Sequence, residues 1–205
     1  MENPKSNIAH PTSFAMLRQF VRERAPVERC ELCSADLAQQ HQHLIDPANR
    51  QLVCCCDACA ILFSDEGKRY RRVPRRTRML SDFQMTDTQW DSLLIPIGMA
   101  FFYQSTPVRK VIALYPSPAG ATESLLDLEA WADLVHDNPI LAQFEPDVEA
   151  LLVNRVGNTR DYYRVPIDKC YELVGTIRTH WRGLSGGTEA WVAIGQFFDN
   201  LKARS

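Results

Sequence analysis

Apolar residues recur along this chain at two spacings, and each spacing predicts its own element. Near the start, Phe14, Met16, Leu17, Phe20 and Val21 follow the capping residues Thr12 and Ser13 at near-helical intervals. This predicts a helix ending near Arg24, ahead of Pro26. The short alternating segments "QHQHLI" and "RQLVC", joined by the turn-forming "DPAN", predict a β-hairpin. "FFYQ", "VIALYPS" and "EALLVNRV" are rich in β-branched and other apolar residues and read as strands. Between the last two, Leu128, Trp131, Ala132 and Val135 share one face of a helix that Pro139 stops. A further helix capped by Asp168 would carry Tyr171, Val174, Ile177, Arg178 and Trp181 on or near one face, and "RGLSGG" interrupts it. A last helix spans Thr188 to Lys202, with Trp191, Ile194, Phe197, Phe198 and Leu201 at helical spacing.

The pattern predicts an α+β fold: an N-terminal helix, a zinc-ribbon-like hairpin with four cysteines, then a compact α+β domain with a small sheet and C-terminal helices. Its segments would be a leader and helix over 1–28, a knuckle module over 29–66, a basic linker over 67–80 and the α+β domain over 81–205. With 205 residues, 45% of them hydrophobic, the chain can bury one substantial core. The most apolar run, Leu93 to Tyr103, is too short to span a bilayer and is interrupted by Pro96 and Gly98, so no membrane partner is expected. The N-terminus lacks the basic-then-apolar pattern of a secretory signal, which places the chain in the reducing cytoplasm with free thiols.

That expectation bears on seven cysteines, four of which crowd into residues 54–59. Cys30 and Cys33, then Cys56 and Cys59, form two CxxC pairs separated by 22 residues. Two short turns, each presenting two sulfurs, can converge four thiolates on one tetrahedral ion, and one zinc per chain is the expected occupant. Iron in a rubredoxin-like site uses the same ligands, but such knuckles favour glycine after the second cysteine, and Ser34 and Ala60 stand there. Strand alternation would point Cys54 with Cys56 towards this ion and Cys55 away. Cys55 would then face His41 or His43 across the hairpin in one register, as a second, open metal site or as a packed thiol beside surface histidines. Cys170, inside an amphipathic helix, reads as core.

Charge adds a second feature. Seven Lys and Arg occupy the eleven positions from Lys68 to Arg78, and Arg71, Arg72, Arg75 and Arg76 are candidate anion or partner contacts. The segment could grip phosphates, which makes a zinc-ribbon nucleic-acid-binding regulator one reading of the chain. The net charge is nevertheless −2, and outside this segment sixteen Lys and Arg face twenty-five Asp and Glu. Contact with protein, or with the chain's own acidic surface, fits that balance better. "YPSPAGATES" reads as a loop ahead of a helix, and "HWRGLSGGTEAW" as a hinge with exposed polar residues. No nucleophile motif, HExxH or convincing carboxylate pair is present, so no catalytic residue is assigned and an enzyme ranks last.

Several strings, "RCELCSADL", "CDACAILF", "LYPSPAGATESLLDLEAW", "PDVEALLVNR" and "VPIDKCYELVGTIRTHWRGLSGG" among them, together resemble an uncharacterised bacterial family encoded beside nickel–iron hydrogenases of the high-affinity, actinobacterial type. The resemblance runs through most of Arg29 to Leu201. It implies a setting and no reaction. The expectation is a non-catalytic metal-binding accessory protein that supports hydrogenase maturation or assembly and contacts a hydrogenase subunit or maturation factor. A rubredoxin-like electron carrier ranks below the nucleic-acid reading.

Overall fold

The computed structural model describes residues 27–64, 67–125 and 128–205. The helix expected over residues 12–24 lies outside them. Two antiparallel sheets and a set of helices make up the described chain.

The first sheet is the expected hairpin with one added strand. Strands β1 (Gln42–Asp46) and β2 (Gln51–Cys55) pair with Leu44 opposite Val53 and His43 opposite Cys54. The turn closes on its own polar side chains: Asp46 accepts from the Ala48 N–H and Asn49 from the Gln51 N–H, each at 3.0 Å. β3 (Arg71–Arg72) adds to the free edge of β1, giving the order β2-β1-β3. Helix α1 (Asp57–Phe63) follows β2 directly.

The second sheet is larger than the hydrophobic pattern suggested. It has six strands in the order β4-β9-β8-β5-β6-β7: β4 (Arg78–Met79), β5 (Met99–Ser105), β6 (Lys110–Ser117), β7 (Gly120–Ser124), β8 (Glu149–Asn154) and β9 (Asp161–Pro166). Both faces are covered. Phe101, Leu152, Tyr163 and Val165 pack with Leu173, Ile177, Ile194 and Phe198 of the helices α4 (Ile167–His180) and α5 (Gly187–Ala203). On the opposite face, Phe102, Leu151, Val153 and Tyr162 pack with Trp90 of α2 (Asp87–Ser92), Leu134 of α3 (Leu128–Asp137) and Leu141 of a 3-10 turn over Pro139–Gln143. Double burial explains the unbroken apolar runs of β5 and β8, which a sheet with one wet face would replace by alternation.

Several helix details differ from expectation. Ala132 is exposed, and the buried face of α3 centres on Leu134 with Trp131 and Val135 half-buried beside it. Arg178 is likewise exposed on α4, whose buried residues are Ile167, Cys170, Leu173, Val174 and Ile177. Asp168 does not cap α4: Pro166 holds that position, and Asp168 stands in the first turn. "YPSPAGATES" is no loop before a helix but a tight hairpin between β6 and β7, with Ser117 paired to Gly120.

The small sheet is anchored on the large body. Ile45 of β1 and Val73, just after β3, are each 2% exposed within the core that α4 and α5 share with the sheet. Ion pairs frame this contact, Arg50 to Glu123 at 3.1 Å and Arg71 to Glu145 at 3.3 Å. The basic stretch supplies a strand to each sheet, and so ties the two together.

Candidate metal centre

The first CxxC pair sits in a hairpin turn whose backbone is hydrogen-bonded to itself. The Ser34 N–H donates to the Cys30 carbonyl at 2.7 Å and the Cys30 N–H to the Ala35 carbonyl at 2.8 Å, while Ser34 takes a left-handed φ of 63°. That is the conformation for which glycine is the commoner choice, and serine holds it here at some strain. The turn is tied to β2 by the Glu31 N–H, which donates to the Cys54 carbonyl at 2.9 Å, and by the Glu31 carboxylate, which accepts from the Cys54 N–H at 2.7 Å.

The second pair is built differently. Cys56 caps α1 with extended backbone, and Cys59 lies in the first helical turn, with the Ala60 N–H donating to the Cys56 carbonyl at 2.9 Å. One turn of helix brings position three back over the cap, so both thiols emerge on the same side. The result is convergence: the sulfurs of Cys30, Cys33, Cys56 and Cys59 all lie within 4.8 Å of one another, with Cys33 and Cys56 at 3.7 Å. Four thiolates held tetrahedrally about 2.3 Å from one ion would stand about 3.8 Å apart. The four cysteines can therefore hold a metal ion.

Electrostatics agree with a site organised for cation binding. Burial pushes the Cys30 thiol up, but backbone N–H groups of Cys56, Leu32 and Cys33 outweigh it and bring the thiol down to about 6. Cys59 is raised, by burial first and then by the neighbouring thiols of Cys33, Cys56 and Cys30. Four sulfurs this close cannot all ionise without a cation among them. Cys30 and Cys59 are buried while Cys33 is exposed, so the cluster opens to solvent on one side.

Cys54 and Cys55 take the opposite places from those that strand alternation suggested. Cys55 is fully buried with Cys30 and Cys59, its thiol points at the Gln42 carbonyl at 3.5 Å, and burial pushes it up to about 11. It is a packed, protonated thiol beside the four-cysteine cluster. Cys54 turns to the other face, where its sulfur and one ring nitrogen each of His41 and His43 lie within 4.8 Å of one another. The alternation argument failed because β2 ends at Cys55: Cys56 is a helix cap and continues no strand face. Register also decides it, since His43 stands opposite Cys54 and Cys55 opposite Gln42. Cys170 is fully buried between α4 and the sheet, and burial raises its thiol well above the ordinary value.

The four candidate arginines have different surroundings. Arg71 pairs with Glu145 at 3.3 Å and with the buried Asp147 at 3.8 Å, and Arg72 donates to Gln42 at 3.3 Å. Arg75 borders a cavity beside His41, and Arg76 is exposed. The nearby Arg69 donates to Asp46 at 2.7 Å and holds that carboxylate below its ordinary value.

A family model matches residues 29–205, from the residue before the first site cysteine to the last residue. The chain belongs to DUF5947, a family of unknown function. The match takes in both knuckles and both sheets, so the cysteine cluster and the six-stranded body fall within one family unit. No curated protein and no solved structure matches the chain.

Sequence reasoning did not find Asp168 as a partner of this region. Its carboxylate accepts from His43 Nδ1 at 2.7 Å across 125 positions of sequence. Glu31 is a second such residue, and a carboxylate directly after the first cysteine of a CxxC pair is a legible signal for a group that can close the turn onto its neighbour.

Proposed function

We propose that this protein is a non-catalytic accessory factor in which Cys30, Cys33, Cys56 and Cys59 hold one structural zinc ion, and that its setting is the maturation or assembly of a nickel–iron hydrogenase. The observation that carries the zinc reading is the convergence of two independent CxxC turns to sulfur distances that suit a tetrahedral ion. A site with a full set of four thiolates and no redox demands favours zinc over iron.

The accessory role draws on two further features. Immediately after Cys59, Ile61 and Leu62 of α1 are 64% and 62% exposed, and Phe63 is exposed beside them, an apolar strip of the kind that marks a protein contact. The basic segment contributes to strand pairing and intramolecular ion pairs, which suits a scaffold better than a phosphate-binding surface. The hydrogenase setting rests on the family resemblance alone.

Metal content and visible absorption, measured on protein grown without metal supplements, test the ion. About one zinc per chain in a colourless sample supports the reading. Stoichiometric iron in red protein would substitute the electron-carrier reading, and absence of metal would end both. Deleting the gene tests the setting: the expected outcome is unprocessed or cofactor-poor hydrogenase large subunit, and fully matured, fully active enzyme would remove it.

A further inference from the structure

On the outer face of the hairpin, His41, His43 and Cys54 bring two ring nitrogens and a sulfur within 4.8 Å of one another. The two rings stand edge to face, with centroids 4.9 Å apart. Hydrogen bonding settles which nitrogens are free. His41 Nδ1 lies 3.0 Å from the Ala38 carbonyl, an atom that only accepts, so Nδ1 carries the proton. His43 Nδ1 lies 2.7 Å from the Asp168 carboxylate, and the same reasoning places its proton there. Each imidazole is thereby left with its lone pair on Nε2.

At His41 that lone pair is stranded: the side chain is 9% exposed, and Nε2 is buried with no hydrogen-bond partner among the described residues. Burying an acceptor without a donor is unfavourable, and a bound cation would remove that cost. The Nδ1 contacts also match the arrangement that orients metal-binding histidines, where the far nitrogen donates to a carboxylate or a backbone carbonyl. Asp168 and Ala38 supply one of each. His41, His43 and Asp168 further line an open cavity of about 240 Å³, which leaves room for an exchangeable ligand on the ion.

From this geometry we infer that His41, His43 and Cys54 form a second metal site, in which two imidazole nitrogens and one thiolate sulfur bind a divalent transition-metal ion with at least one open coordination position, oriented by Asp168. Imidazole and thiolate together suit zinc, cobalt and nickel, and exclude calcium and magnesium. In the four-cysteine cluster the protein would fill all four coordination positions with thiolates, whereas here three protein ligands leave a position for exchange. The two groups meet near the end of β2, with only Cys55 between Cys54 and Cys56 in sequence.

The test uses the full chain, dialysed against Zn(II) and then titrated with Co(II). The expected result is two ions per chain, one tight and one readily exchanged, the second giving thiolate-to-cobalt absorption. Cys54→Ser and His43→Gln remove only the exchangeable ion. Asp168→Asn, on α4 and outside the hairpin, weakens it about 10- to 100-fold and leaves the tight ion in place. In unsubstituted protein labelled with 15N histidine, the second ion moves the Nε2 resonances of His41 and His43 and leaves those of His136 and His180 unchanged. A single ion per chain, or a second ion that perturbs neither His41 nor His43, overturns the inference. Loss of the tight ion alone would count against the four-cysteine zinc instead, so the two readings fail separately.

Discussion

Two substitutions that each alter a single sulfur should have opposite consequences, because one sulfur sits in the candidate centre and the other in the core. Cys170→Ala removes a fully buried thiol between α4 and the sheet. Removing an apolar group of about methylene size costs ~0.8 kcal/mol in transfer free energy. A residual cavity of roughly 20 Å³, at about 24 cal/mol per Å³, adds ~0.5 kcal/mol. For a chain of this size, about 1.3 kcal/mol lowers Tm by roughly 3–5 °C, and metal content should not change. Cys56→Ser keeps the side-chain shape and leaves a hydroxyl, a poor replacement for thiolate, in a site whose ion would contribute on the order of 10–16 kcal/mol. The expected outcome is loss of the tight zinc and of amide protection over residues 28–64, while β5, β8 and α4 stay protected. That separation follows because, among the described residues, the cluster around the cysteines fully buries only Leu44 and Val53 besides the cysteines and Ala60, with Leu32, Leu37 and Tyr70 partly buried at its edge. Hydrogen exchange with mass spectrometry, run beside metal analysis, reads both quantities. Equal metal content in the two variants would refute the ligand assignment. Zinc loss with the hairpin still protected would refute the argument that the ion holds it.

Acid should weaken the hairpin turn at one identifiable place. Arg69 holds the Asp46 carboxylate below its ordinary value, so Asp46 contributes stability that is present above about pH 4 and is lost as pH falls through its lowered folded-state value. Asp46→Asn should flatten that part of a pH–stability profile, and an unchanged acid limb would count against the pairing. Replacing Arg71, Arg72, Arg75 and Arg76 together should leave binding of DNA and RNA unchanged and weak. Tight binding that falls steeply with salt and vanishes in this variant would make the nucleic-acid reading the better one. Leu134→Ala should cost about 2–5 kcal/mol, since Leu134 is fully buried where α3 meets the sheet, whereas Val192→Ala on the exposed face of α5 should stay within about 0.5 kcal/mol. Urea melts of the two variants check the contrast.

The hairpin, the three most apolar strands and the helices of the C-terminal half were legible because each carries its own period and its own punctuation. β7 was not. "GATES" has one small apolar residue, and it becomes a strand only by pairing with β6 at the sheet edge, where Ser117 and Gly120 close the turn. β9 was missed for another reason. "DYYRVP" places Tyr162 and Tyr163 on opposite faces of a sheet covered on both sides, so both are buried and no alternation marks the segment. Without those two strands the sheet looked small. Part of the covered second face was hidden likewise, because Trp90 stands in the short helix "DTQWDS", which has too few apolar positions to show a helical period.

The two groups of metal-ligating side chains differ in legibility for a reason that lies in how each is assembled. In the four-cysteine cluster each turn carries its own geometry, so a CxxC spacing already implies two sulfurs on one side, and only the meeting of the turns needs the fold. The His41, His43 and Cys54 group has no such local rule. His41 directly precedes β1 and His43 lies in it two positions on, which lets them come to one side, but whether Cys54 or Cys55 meets them depends on register, and a slip of one residue would exchange the two thiols. The register is fixed by Leu44 packing opposite Val53 and by the Asp46 and Asn49 side chains that close the turn. Asp168 then reaches His43 only because Ile45 and Val73 seat the hairpin against the body that carries α4. The orientation of the exchange-ready site is thus a product of docking. Loosening that contact, for example by Ile45→Ala, should weaken the second metal ion while the four-cysteine ion, whose ligands all lie within residues 30–59, is retained.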